Sequence, residues 1–427
     1  MSFEVDVGFI IEDDAEALTS TLRVNLFSAH PLVISGAWSL NATYHLLGQL
    51  ADSANLVVIS PYIAEGPRWL KHVSLGLNAS FNPFKPVGDK LVYAHFVADA
   101  FKGAFNLNNA QTSSLRRALT RTYLTGKDPT IEDITSALEL ESNELTNRDA
   151  VELIEIVEAM GRGRLGAACS SHFELTNIQA LISMYELPPS YASLISMAIL
   201  MHLLKSGFKG VVTLCDVDIL KEFIGSAWKN LIDLLNKMRA ESSIVIACAN
   251  GTSSIPLELR AGARMAIMGS PITPEDVRYV SAVVGRRYLR LLNSKERFAY
   301  SLAYSSGVVE VPLEETAKIS AIEELKVPVE VPKSMLQAKL GNKAKMAYEV
   351  LNFLRDGAST RDSVISYAIH RLDVSSMEAS KLVNALLIHG LANEVVGADG
   401  KYWLKITVRG LNALEELEAL EGWLIRE

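Results

Sequence analysis

Apolar residues along this chain fall into two patterns. Unbroken apolar runs of six or seven residues, at 31–36 (Pro-Leu-Val-Ile-Ser-Gly), 54–60, 211–216 and 243–249, read as strands buried on both faces. Between them apolar positions recur at helical spacing, first at 42–50, directly after the first run. This alternation predicts an α/β fold, a parallel sheet covered by helices. The first sixty residues make a strand–turn–helix–strand unit whose crossover is expected to be right-handed.

A helical insertion is expected over about 90–205. Segments 96–105, 113–123, 131–138 and 149–160 have helical spacing, and Pro129-Thr130 opens one of them as a start signal. Gly161-Arg162-Gly163-Arg164 interrupts the pattern, which resumes after Pro188-Pro189. The most apolar stretch, 192–204, is too short to span a bilayer and reads as a buried helix. At 326–333 the prolines of Lys-Val-Pro-Val-Glu-Val-Pro-Lys exclude helix and favour extended chain, so 326–338 reads as a linker between a domain at 1–325 and a second at 339–427. The second domain shows three helices (344–354, 360–371, 375–389), two strands (391–396, 402–407) around a turn at 397–400, and a last amphipathic helix at 408–420. Three helices followed by a hairpin is the order of a winged helix-like domain.

Composition narrows the function classes. Hydrophobic residues are 49% of the chain and charged ones 21%, ordinary for a globular protein with a large core. The net charge of −8 provides no global basic field, which argues against a simple nucleic-acid coat but leaves room for a local basic face or a pore lining. Residues 333–427 carry twelve Lys/Arg and twelve Asp/Glu, so the second domain has no net attraction for phosphate. Cys169, Cys215 and Cys248 are far apart and read as reduced core residues. The N-terminus lacks the pattern of a signal peptide, and no transmembrane segment is visible, so a cytoplasmic location is expected.

The candidate chemistry lies at 36–43. Gly-Ala-Trp-Ser-Leu-Asn-Ala-Thr has the spacing of the phosphate-binding loop G-x-x-x-x-G-K-[ST], whose backbone N–H groups cradle phosphate, whose lysine reaches the β and γ phosphates and whose hydroxyl holds Mg²⁺. Gly36 and Thr43 match; Asn41 stands at the second glycine and Ala42 at the lysine. Asn tolerates left-handed backbone, so Asn41 is the milder change, whereas Trp38 puts an indole into a tight loop. Thr43 is read as a capping residue before an Mg²⁺ ligand, and Asp216 as a hydrogen-bond partner of the loop backbone as readily as a metal ligand. Asp218, on the same face as Asp216 if both are in a strand, is a minor candidate to replace a glutamate.

Placed in order, these fragments resemble the HerA-type DNA-pumping ATPases and their relatives among the conjugation and secretion ATPases, kin of the FtsK translocases, over about residues 20–320. Ala54–Pro61 resembles the family's second strand ending in Asp-Pro, with Ser60 in place of the Asp, and Phe81-Asn82-Pro83-Phe84 its Asn-Pro element. Val211–Asp218 resembles the strand ending in Asp-Glu, with Val217 where the catalytic glutamate belongs; Ile244–Asn250 resembles the next strand, with Asn250 as the water-orienting residue; Ala263–Ile267, Asp276 and Gly285 resemble the tail.

The resemblance implies a P-loop NTPase (RecA-like) fold with a helical insertion. The departures at Ala42 and Val217 imply a pseudo-ATPase, because one removes the charge that spans the phosphates and the other the group that polarises water. The expectation is a catalytically inactive ring or scaffold subunit, assembling with itself or with an active HerA-type relative in DNA translocation, processing or transfer. It has no catalytic residue, metal ligand or cofactor, ATP and Mg²⁺ being what the site would take if it took any. Arg264, or Arg286-Arg287, would act in trans on a neighbour's nucleotide. Arg162 and Arg164 in a pore loop, and Lys381, Lys401 and Lys405 in the winged helix, are the candidate DNA contacts, although Glu378 beside Lys381 and Asn384 favours protein contact there. The β-barrel that many HerA-type proteins carry ahead of the loop is not expected, since about thirty residues precede it. The alternatives are a divergent ATPase hydrolysing weakly through Thr43, Asp216 and Asp218, and a DNA-binding scaffold acting through the winged helix.

Overall fold

The four apolar runs form the middle of one eleven-stranded sheet. The structure, a computed structural model, describes residues 3–12, 17–62, 65–126, 128–141, 145–173, 175, 178–302, 305–318, 336, 340, 343–396 and 401–424. Its strands in chain order are β1 (Glu4–Glu12), β2 (Ala17–Asn25), β3 (Leu32–Ser35), β4 (Leu56–Ser60), β5 (Glu65–Gly66), β6 (Lys71–Ser74), β7 (Gln179–Ser183), β8 (Val211–Leu214), β9 (Ile244–Ala249), β10 (Met265–Met268), β11 (Arg297–Leu302), β12 (Ser305–Glu310) and β13 (Ala317–Lys318). The sheet order is β2-β1-β12-β11-β10-β3-β9-β8-β4-β7-β6. From β10 to β6 all pairs are parallel; from β10 to β2 they are antiparallel.

Every residue of β3, β4, β8 and β9 is buried, which is why their sequences are continuously apolar rather than alternating. Each fully buried Leu, Ile or Val there contributes roughly 1.5–3 kcal/mol relative to exposure. The helix after β3 packs Ala42, Tyr44, Leu46 and Leu47 into the same core as Ile34, Ile246 and Cys248. The apolar stretch at 192–204 lies in the helix Pro189–Lys205, whose residues 192–204 are all buried; proline at its first position suits the fixed φ of a helix start. Thr130 does open the helix Ile131–Glu141, its hydroxyl accepting from the Asp133 N–H at 3.1 Å while the Asp133 carboxylate accepts from the Thr130 N–H at 3.0 Å.

The stretch expected to be a helical insertion is not all helix. β7 lies within it and pairs with β4 on one side and β6 on the other. Gln179-Ala-Leu-Ile-Ser is a run too short for periodicity to separate strand from helix. The antiparallel arm of β1, β2, β11 and β12 also escaped the sequence reading: these strands are more polar, and Gly8 and Gly307 interrupt their pattern.

The chain divides into two compact units, one of residues 1–157 and 168–329, the other of 158–167 and 330–427. The linker expected at 326–338 falls, apart from Leu336, outside the described residues, as does the turn at 397–400. In the second unit, helices Ala344–Arg355, Arg361–Leu372 and Ser376–Ile388 enclose a core with Leu351, Val364, Leu382 and Leu404. A three-stranded sheet follows, β14 (Ser359–Thr360), β16 (Tyr402–Ile406) and β15 (Ala392–Val396) in that spatial order, and then the helix Val408–Leu424. Among the described residues no helix is long and apolar enough to cross a membrane.

Candidate functional site

Parallel strands deliver loops to one edge of a sheet, and ligands of such folds bind beyond the carboxyl ends where the strand order reverses. Here β3 is followed by β4 three places away on one side, whereas β10 lies on its other side. The edge above β3, β9 and β8 carries Gly36–Thr43, Asn250–Ser254 and Asp216–Asp218.

The loop after β3 is a tight turn. Gly36 has φ +87°, and an added Cβ would come within 3.0 Å of the Gly269 backbone; one on Gly269 would lie 2.3 Å from the Ala37 carbonyl oxygen. Both positions therefore require glycine. The helix Ser39–Gly48 begins two residues before Asn41, so the left-handed residue of the turn is Trp38 (φ 65°, ψ 12°), not Asn41. Two of the turn's donors point inward: the Gly36 N–H to the Ala249 carbonyl at 3.2 Å, the Ser39 N–H to the Gly36 carbonyl at 3.2 Å. Trp38 is 49% exposed, and Lys295 Nζ stands 5.9 Å from its ring centroid. A left-handed backbone costs a bulky L-residue about 1–2 kcal/mol, and half-exposure recovers little of it. Trp38→Gly is accordingly expected to stabilise the protein by about 1 kcal/mol, read as a rise in the urea midpoint.

Thr43 is fully buried and caps nothing. It is the fifth residue of its helix, and its hydroxyl donates to the Ser39 carbonyl at 2.7 Å with Cys248 Sγ 3.7 Å away. The capping expectation fails because the helix starts earlier than the motif spacing places it. Ala42 is fully buried in the core beside it. Asn41 reaches sideways, donating its amide to the Glu314 carbonyl at 2.9 Å.

Beyond β8 the chain does not stay extended. Asp216 takes a left-handed conformation (φ 54°) and Val217–Ile224 is a helix, so the strand alternation that aligned Asp218 with Asp216 does not apply. Asp218 sits in the helix's first turn, accepting from the Ser254 hydroxyl at 3.1 Å, and Val217 is buried completely. Asp216 bonds neither Gly36 nor Thr43. Its carboxylate accepts from the backbone N–H of Tyr62, after β4, and from the Asn250 amide at 3.5 Å. Burial first, and the Asp218 charge second, push its pKa up to about 7 against those two bonds. Asp216 Oδ2 and Asp218 Oδ1 are buried without a hydrogen-bond partner.

The loop beyond β9 is fastened instead by Asp276. That buried carboxylate accepts from the N–H groups of Ser253 (2.6 Å), Thr273 (2.9 Å) and Ile272 (3.2 Å), and Asp276 also completes a capping box with Thr273. Although burial pushes its pKa up, these donors hold it below the ordinary range. Asp276→Ala leaves three donors unmatched and is expected to cost about 2–3 kcal/mol in chemical denaturation.

Other sequence candidates lie elsewhere. Arg264 is exposed at the amino end of β10, the edge opposite the turn, with Nη1 3.4 Å from the Ser28 carbonyl. Arg286 lies in the 3₁₀ segment Arg286–Asn293. Arg164 is in the helix Gly163–Cys169 rather than a loop, and Arg162 pairs with Glu158 at 2.6 Å, which also accepts from Arg409 at 2.8 Å, all within the second unit. Lys381, Lys401 and Lys405 are exposed there.

A nucleotide with Mg²⁺, which a phosphate loop implies, fits this edge poorly. The Gly36 and Ser39 N–H groups are spent on protein carbonyls, the Thr43 hydroxyl on its own helix, and position 42 lies in the core; the buried, partnerless oxygens of Asp216 and Asp218 are the features suited to a cation. Sequence reasoning missed Trp38 as the left-handed residue, the Tyr62 N–H and Glu314, because none belongs to a spaced motif.

No protein-family model and no curated protein matches the chain. Among solved structures it is similar to VirB4 of Thermoanaerobacter pseudethanolicus, with TM-score 0.55 at 10% identity over 71% of this chain and 96% of that one. Looser likenesses are EssC (ATPases 2 and 3) from Geobacillus thermodenitrificans, with TM-score 0.33 at 11% identity over 73% of this chain and 45% of that one. The pCW3 conjugation coupling protein TcpA has TM-score 0.32 at 9% identity over 74% and 67%. The likeness to VirB4 agrees with this chain's large, mostly parallel sheet, and the chain has a P-loop NTPase fold.

Proposed function

We propose that this protein is a non-hydrolysing homologue of the HerA-type and conjugation ATPases, a ring or scaffold subunit in DNA translocation, processing or transfer, with itself or an active relative. The observation that carries the reading is the inward-turned loop: Gly36 and Ser39 donate to protein carbonyls, and Ala42 and Val217 occupy the lysine and glutamate positions as core residues. Changes at both ends of one reaction coordinate favour a fold kept for its shape and interfaces. The second unit we read as winged helix-like and protein-contacting, because Val395, Val396 and Tyr402 on its strands are more than half exposed beside Lys401 and Lys405.

Light scattering of the chain alone and mixed with an active HerA-type ATPase tests this. The expected result is a closed oligomer in at least one sample, with no ATP turnover by the chain alone. A monomer in both overturns the ring.

One observation favours a divergent ATPase: the partnerless carboxylate oxygens of Asp216 and Asp218. ATP turnover by the chain alone, lost in Asp216→Asn, would establish that reading instead.

A further inference from the structure

After β12 the chain does not leave the sheet at once. Val311 is buried, its N–H donating to the Glu296 carbonyl at 2.7 Å, and Leu313 packs on the core that holds the helix Ser39–Gly48. Glu314 then pairs with Asn41 in both directions, its carbonyl accepting the Asn41 amide at 2.9 Å and its N–H reaching the Asn41 carbonyl at 3.4 Å. The Thr316 hydroxyl lies 3.4 Å from the Glu65 carboxylate, and β13 ends the run by pairing with β5 over two residues. Glu65 is itself tied back to the helix, since its carbonyl accepts from the buried Tyr44 hydroxyl at 3.1 Å. Residues 311–318 thus hold the helix directly at Asn41 and, through Glu65, indirectly at Tyr44.

We propose that this segment is a strap that sets the conformation of the turn after β3. The turn stays collapsed while Asn41 is held, and it opens, freeing the inward donors, when the strap lifts. Two features make the arrangement two-state rather than rigid. The turn carries a left-handed tryptophan, so the closed form is strained where it bends. The strap is secured by few hydrogen bonds, that of Thr316 to Glu65 exposed and that of Asn41 to Glu314 only part-buried, the class of contact that opens at low free energy. Asn41, which at the motif's glycine position looked like a tolerated substitution, becomes the residue that reads the strap.

The inference goes beyond the proposed function and does not depend on it, because an active and an inactive chain would give the same result in its test. Native-state hydrogen exchange of the full chain is compared with Asn41→Ala, which removes the amide, and Glu314→Pro, which removes the strap's N–H. Exchange at 36–46 is expected to accelerate about 2- to 10-fold in both variants, the equivalent of one lost hydrogen bond, with β8 and β9 unchanged. Acceleration confined to 311–318, or none, overturns the strap. A variant whose β8 and β9 also accelerate is globally destabilised and counts against the strap unless the other variant shows the local effect.

Discussion

Ala42→Lys is expected to destabilise the protein by about 3–5 kcal/mol instead of restoring a phosphate site, the cost typical of an unpaired buried charge. Position 42 is fully buried among Leu32, Ile34, Leu46 and Ile246, on a helix whose preceding turn directs its donors at Ala249 and Gly36. A lysine there has no phosphate in reach and must either desolvate its ammonium or pry the helix from β3. Val217→Glu meets the same difficulty on the first turn of its helix, where the side chain is wholly buried. Urea denaturation of both variants checks the expectation. A lysine variant as stable as the parent, and newly able to bind ATP, would show that position 42 still faces a site.

Acid is expected to weaken the first unit through a pair of neutral histidines. His172 and His202 lie with ring centroids 4.7 Å apart, flanked by Phe81 and Tyr93. His202 Nε2 is 2.9 Å from the Lys85 carbonyl and 3.2 Å from the Tyr93 hydroxyl. Burial, above all, lowers both pKa values to about 4, with the neighbouring His202 and Lys85 adding to it for His172, and Lys85 for His202. Between pH 6.5 and 4 the unfolded chain therefore binds protons that the folded pair refuses, so stability falls as pH drops through that window and levels off below it. Allowing for partial solvent access, the loss is roughly 1–2 kcal/mol per histidine. Asp216 works in the opposite sense: its folded pKa of about 7 exceeds the unfolded 3.8, so its contribution is complete below 3.8 and is lost as pH rises through 7. Thermal midpoints at pH 4.5 and 7 should converge in His172→Phe, while Asp216→Asn should gain stability chiefly above pH 7.

The sheet's centre was legible because strands buried on both faces write themselves as unbroken apolar runs, as in Val-Val-Thr-Leu at β8 and Ile-Val-Ile-Ala-Cys-Ala at β9. The half-exposed arm, β1, β2, β11 and β12, and the short β7 were not, since alternation broken by glycine and a run of three apolar residues carry little periodicity. At the site, the spaced residues Gly36, Thr43, Asp216 and Asn250 did come to one edge of the sheet. Their roles could not be read from spacing: a helix that starts at Ser39 rather than at Ala42 places Thr43 in its second turn, in the core, and a left-handed Asp216 starts a helix where a strand was expected. Both depend on single backbone dihedrals. Glu314, some 270 residues from Asn41 in sequence, left no local signal at all.

Isothermal titration of the intact protein with ATP in the presence of Mg²⁺ tests the central claim most directly. A turn whose Gly36 and Ser39 N–H groups are spent on protein carbonyls, with Ala42 in the core, predicts no measurable heat of binding up to millimolar nucleotide. Micromolar affinity that is lost in Thr43→Ala and in Asp216→Ala would contradict it.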